Sequence, residues 1–174
     1  MTVDLNNESG LEADSSGLIR LATYALGQLR IHPQAELSIV LVDEPTMSAY
    51  HEKYLGEPGP TDVLSFPMDE LRPPHEDEDP PAGLLGDIVL CPAVTGRQAL
   101  EHGRSADAEA EYLLVHGLLH LLGYDHADPD EKAQMFDLKD KIIASWASAR
   151  PDRAGRTSSG GSGATTGLSG ELRL

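Results

Sequence analysis

Between Val115 and His126 the chain reads VHGLLHLLGYDH. His116 and His120 are four residues apart, and on a helix side chains at that separation are neighbours on one face, so two imidazoles can reach one ion without backbone distortion. Gly123 follows, where a glycine can take the left-handed conformation that ends a helix and reverses the chain. His126 can then fold back toward the first two. Three neutral imidazole nitrogens and one open position are the donor set of a catalytic zinc, the open position being taken by a water whose pKa the metal lowers to about 7. His116, His120 and His126 are therefore candidate ligands to one Zn2+ per chain. Asp125, beside His126, can act as a proton acceptor or orient an imidazole, or simply cap the loop; with His116 it makes the candidate catalytic pair. Two blander readings use the same residues: histidines satisfied within a leucine-rich helix, and a metal that only staples the helix to its following loop.

The elements around these residues must hold the helix in place. Leu18, Leu21, Ala22, Ala25 and Leu29 recur at helical spacing after the capping candidates Ser15 and Ser16. Three short runs rich in β-branched residues follow the strand pattern, Glu36 to Val42, Asp62 to Met68 and Leu85 to Cys91. Helices are expected over Pro45 to Leu55, over Pro92 to His102 and over Asp107 to Leu122, the last opening with Asp107, Glu109 and Glu111 where the backbone dipole favours negative charge. A final helix starts with Asp128 as cap and Pro129 as first residue, and buries Met135, Leu138, Ile142 and Trp146. The expected fold class is α/β (α+β), a small mixed β-sheet packed with about five helices in one metalloprotease-like domain spanning residues 1–150. Residues 151–174, with six Gly, four Ser and three Thr, read as a disordered tail.

Composition narrows the class further. The 174 residues suit one domain, 40% are hydrophobic and 24% charged, and no apolar run approaches the roughly 18–20 residues of a membrane span, so a soluble cytoplasmic protein with no membrane contact is expected. The single cysteine, Cys91, excludes an internal disulfide and a cysteine-held zinc, and is expected to be a buried strand residue. The formal net charge of −16 is opposite in sign to that of a dedicated nucleic-acid binder. Any contact with phosphate must therefore be local, with Lys53, Arg72, Arg97 and Arg104 as candidate cations. Part of the acidity sits in one proline-interrupted stretch, Asp69 to Asp79, expected to be a solvated loop. His32, His51, His75 and His102 fall outside the ligand spacing and are expected to face solvent.

The histidine spacing, with glycine seven residues after the first, resembles that of the metzincin peptidases, yet Gly117 stands where those enzymes carry a glutamate as general base. The string HGLLHLLGYDH (His116 to His126), together with PTDVLSFPMDE (Pro60 to Glu70), LGDIVLC (Leu85 to Cys91) and NESG (Asn7 to Gly10), more fully resembles the YbeY family of metal-dependent endoribonucleases, over roughly residues 1 to 150. That resemblance implies zinc at His116, His120 and His126 and hydrolysis of single-stranded ribosomal RNA. The implied role is maturation of the 3′ end of 16S rRNA and late-stage 70S ribosome quality control, with the ribosome or small-subunit assembly proteins as partners. One departure is visible: many family members carry an arginine where this chain has Leu55, leaving Lys53 or Arg72 to substitute for it, or the metal alone to neutralise phosphate. A zinc metallopeptidase and a non-catalytic ribosome assembly factor with a structural zinc are the alternative functions.

Overall fold

Residues 2–125 and 127–149 are described in a computed structural model; the expectations for His126 and for the tail lie outside them. The elements run β1 (Thr2–Asn7), α1 (Ser15–Gln28), β2 (Glu36–Leu41), α2 (Glu44–Leu55), β3 (Val63–Pro67), β4 (Leu84–Leu90), α3 (Pro92–His102), α4 (Ala106–Leu121) and α5 (Pro129–Ala149). The mixed sheet and five helices are those expected, with one strand more. β1 carries only Val3 and Leu5 as apolar residues, both partly buried against the main core, and the rest of it is largely exposed. Too little of it is apolar for the alternation to register as a strand signal, and pairing supplies what the side chains lack.

The sheet order is β1-β2-β4-β3, with β1, β2 and β4 parallel and β3 antiparallel to β4 at the edge. Alternation assigns each strand residue to a face. Leu37, Ile39 and Leu41 of β2 and Ile88 and Leu90 of β4 join the main core with α1, α4 and α5, whereas Val42, Leu64 and Val89 pack with Met47 of α2 on the other side. Cys91 is buried in this second cluster as expected, but it is the N-cap of α3 rather than a strand residue, because β4 ends at Leu90 and Pro92 starts the helix.

Caps set the helix boundaries. Asp14, not Ser15 or Ser16, caps α1 by accepting from Gly17 N at 3.0 Å. Ser105 caps α4 through Ala108 N at 3.1 Å, and Asp128 accepts from Asp130 N at 2.8 Å ahead of α5. Glu109, expected as negative charge in the first turn of α4, has a second role there. It is buried, and its carboxylate accepts from the Arg104 guanidinium and lies 3.0 Å from His102 Nδ1, so a compensated ion cluster ties the end of α3 to the start of α4. His51 is also buried rather than solvated, with Nδ1 2.9 Å from the Gly59 carbonyl and Nε2 3.2 Å from Glu57.

The β3–β4 connection, expected to be solvated, is exposed over most of its charged side chains but pinned along its length. Asp69 accepts from Leu84 N at 2.7 Å, Leu71 packs on the main core, and Arg30 donates to the carbonyls of His75 and Glu78. At its far end the strands close tightly on Gly86, which has φ +133°; a Cβ there would lie 2.1 Å from the Phe66 carbonyl oxygen. Gly86 pairs with Leu37 just past a register shift between β2 and β4. Gly86→Ala should destabilise the protein by about 3 kcal/mol, combining backbone strain with a forced opening of the β3–β4 pair. Denaturant unfolding checks this, and a loss below about 1 kcal/mol would contradict the close approach.

Candidate metal centre

α4 is leucine-rich nearly all round because it is enclosed by the sheet, α1, α3 and α5. Its backbone packs closely against the sheet at Gly117. A Cβ at that position would stand 3.1 Å from Ser65 Oγ, 3.2 Å from Val63 Cγ2 and 3.3 Å from Ile88 Cγ2, and Ser65 Oγ donates to the Gly117 carbonyl at 2.9 Å. The space a glutamate would need at this position is filled by β3 and β4. Packing therefore accounts for the missing peptidase carboxylate, and it gives Ser65 a structural role at the same contact.

His116 and His120 flank this contact on one side of the helix. Their Nε2 atoms are 3.0 Å apart, with His116 buried and His120 partly exposed. Two nitrogens bound to one tetrahedral zinc at normal bond lengths stand about 3.3 Å apart, so the pair fits one ion with little adjustment. After His120 the helix ends as the glycine predicts. Gly123 has φ +90°, its N–H donates to the His120 carbonyl, and the Tyr124 N–H donates to the Leu119 carbonyl, both at 3.0 Å. This pair of bonds is the Schellman termination, which turns the chain sharply back over the last helical turn. Asp125 is exposed on that turn. His126, the third expected ligand, is not among the described residues, and among those residues no group of three or more His, Cys, Asp or Glu is placed to hold a metal.

One neighbour escaped the sequence reading. Lys139, on α5, is fully buried, with Nζ 3.4 Å from His116 Nδ1 and 4.0 and 3.9 Å from the ring centres of Tyr112 and Phe136. Burial pulls its pKa down to about 8, against the Asp140 carboxylate, which acts in the opposite direction. The two aromatic faces replace part of the hydration the ammonium has lost. Lysine in the Met135, Ile142, Trp146 stripe was the available signal: positions 138 and 139 both satisfy helical spacing, and hydrophobicity alone selects Leu138, which is only partly buried.

Other groups lie apart from the histidine pair. Asp87 points away from α4, into a cavity of about 360 Å3 with Tyr50, Tyr54 and Phe66 on the side covered by α2. Tyr124 packs on the main core, and burial raises its phenol pKa. Leu55 ends α2 as an exposed residue, and Lys53 lies over the Tyr54 ring. Arg72 is different: a Cβ on Gly123 would lie 3.4 Å from its Cζ and Nε, so its guanidinium rests on the turn that follows His120.

Residues 5–147 match the profile of the family described as Endoribonuclease YbeY. An Endoribonuclease YbeY of Cutibacterium acnes is 69% identical over 144 residues, covering 83% of this chain and 93% of the relative. Proteins of the same name from Streptomyces griseus and Thermobifida fusca are 55% and 54% identical, each aligned over 84% of this chain and over 90% and 94% of their own lengths. In fold, the chain is similar to the solution structure of TM1509 from Thermotoga maritima, with a TM-score of 0.55 at 24% identity, over 91% of this chain and 99% of that one.

If these three histidines hold one zinc, changing His116, His120 or His126 to Ala should remove most bound metal and any gain in melting temperature that comes with it, because two remaining nitrogens hold the ion poorly. Gly123→Val should do the same without deleting a ligand, since a β-branched residue resists the positive φ. Metal analysis after equilibrium dialysis decides: full occupancy in all three histidine variants contradicts the ligand set.

Proposed function

Because this chain belongs to the YbeY endoribonuclease family, we propose that it is a zinc-dependent endoribonuclease. Its proposed reaction is hydrolysis of phosphodiester bonds in single-stranded ribosomal RNA. Its proposed setting is the cytoplasm, in maturation of the 3′ end of 16S rRNA and late-stage 70S ribosome quality control, beside the ribosome or small-subunit assembly proteins. Among the described residues no helix is long and apolar enough to cross a membrane. The observation that carries the reading is the His116–His120 pair, two Nε2 atoms 3.0 Å apart on a helix that ends in a sharp turn at Gly123.

In this reading His116, His120 and His126 hold the ion, which when bound supplies an acidified water and positive charge for the phosphodiester. The chain does the rest. α4, locked to β3 at Gly117, holds the first two imidazoles rigidly, and the Gly123 turn ends the helix three residues before the third histidine in the chain. Lys139 and the rings around it occupy the space behind His116, so the imidazole cannot swing away from its partner. Asp125, next to His126 in the sequence, is the proposed proton acceptor or the group that orients an imidazole. The filled space at Gly117 argues against the peptidase alternative, whose general base would need it.

Metal-loaded protein should cleave single-stranded RNA, lose that activity on chelation, regain it on zinc addition, and leave casein intact. Gel assays of both substrates with the chelator control separate the three readings. Casein cleavage would favour the peptidase. Metal binding with neither substrate cut would favour the non-catalytic assembly factor.

A further inference from the structure

A chain of net charge −16 that cleaves RNA needs a cation where the phosphate binds, and the cations are few. Most of those among the described residues are already engaged. Arg97, Arg104 and Lys141 form ion pairs with Glu44, Glu109 and Asp137, and Arg30 is bonded to loop carbonyls. Lys53 and Lys132 sit over aromatic rings, and Lys139 is buried. Of the four cations proposed from the sequence, Lys53, Arg97 and Arg104 are thus spent on other contacts. Arg72 is exposed, and none of the hydrogen bonds and ion pairs among the described residues uses it. Its guanidinium rests on Gly123, the residue that closes the helix after His120. Two constraints keep it there: Leu71 next to it is packed on the main core, and Asp69 is tied to Leu84 N.

We infer that Arg72 is the phosphate-binding residue of this site, supplied by the β3–β4 loop; this rests on the endoribonuclease reading and names its anion contact. A guanidinium offers a planar fork of donors that matches two oxygens of one phosphodiester, stays charged at any physiological pH, and is less strongly hydrated than an ammonium. Arg72 is exposed, and its Cζ, Nε and Nη2 stand 3.4, 3.4 and 3.6 Å from where a Cβ on Gly123 would be. Gly123 thus does two things: it permits the reversal, and it leaves room for the guanidinium. Leu55, at the far end of α2, has no charge to contribute, so the arginine comes from a different loop and from a later position in the chain.

The test uses the full chain loaded with zinc and a labelled single-stranded RNA oligonucleotide, comparing Arg72→Ala, Arg72→Lys and Arg97→Ala with the unaltered protein. Arg72→Ala should weaken RNA binding about tenfold or more, as loss of a charge-assisted bidentate contact does. It should also flatten the slope of log affinity against log salt by about 0.7, the share of one phosphate on a single strand. Zinc content should stay unchanged. Arg72→Lys should recover part of the affinity and Arg97→Ala should lose none. Binding and cleavage by Arg72→Ala equal to the unaltered protein would overturn the assignment. So would loss of zinc alongside affinity, which would make Arg72 a prop for the metal turn, or an equal loss in Arg97→Ala, which would make the effect diffuse charge. If the unaltered protein binds but does not cut RNA while Arg72→Ala still binds more weakly, the phosphate contact stands and the nuclease reading falls.

Discussion

The close approach of α4 to the edge strand at Gly117 is the constraint on which the site depends. With no side chain between them, helix backbone and strand meet through the Ser65 hydroxyl and the Gly117 carbonyl, and Val63 and Ile88 fill the remaining space. A helix seated this way cannot roll or slide without a clash, because packed interiors have little free volume. His116 and His120 inherit that rigidity, since one precedes the contact residue and the other follows one turn later. The same contact removes the position from which a glutamate would serve a peptidase, so a single packing choice both steadies the proposed ligands and selects against one chemistry.

The second theme is charge. The acidic surface disfavours contact with a polyanion at long range, and at physiological ionic strength that repulsion fades within about 8 Å. What decides is therefore what stands beside the histidines. Most of the positive charge among the described residues is spent internally: on Glu109 at the α3–α4 junction, on Glu44, on loop carbonyls and on aromatic faces. An active site built on a metal and one forked cation needs no basic surface, but it also gives RNA little to hold. In the proposed function the ribosome or an assembly protein compensates, by raising the effective concentration of the strand.

How much of this was legible in the sequence varied with whether the signal was local. α3 begins at Pro92 and ends at His102 before Gly103, as the proline and glycine punctuation indicates, and α4 lies within one residue of its expected span. Gly123 takes the predicted positive φ because helix termination is written in a few consecutive residues. Features that depend on distant partners were not readable. β1 is held by pairing with β2 rather than by its own apolar content; Glu109 is buried because His102 and Arg104 come to meet it; Lys139 occupies a core stripe because two aromatic rings and His116 receive it. Arg72 could be named as a spare cation, but nothing local says that residue 72 reaches residue 123.

The proposed function stands on three imidazoles sharing one ion, and X-ray absorption at the zinc edge of the loaded full-length protein tests that most directly. The account predicts one zinc per chain with three imidazole nitrogens and one further light-atom ligand at about 2.0–2.1 Å, and no sulfur. A shell containing sulfur, six oxygens or fewer than three imidazoles would contradict it.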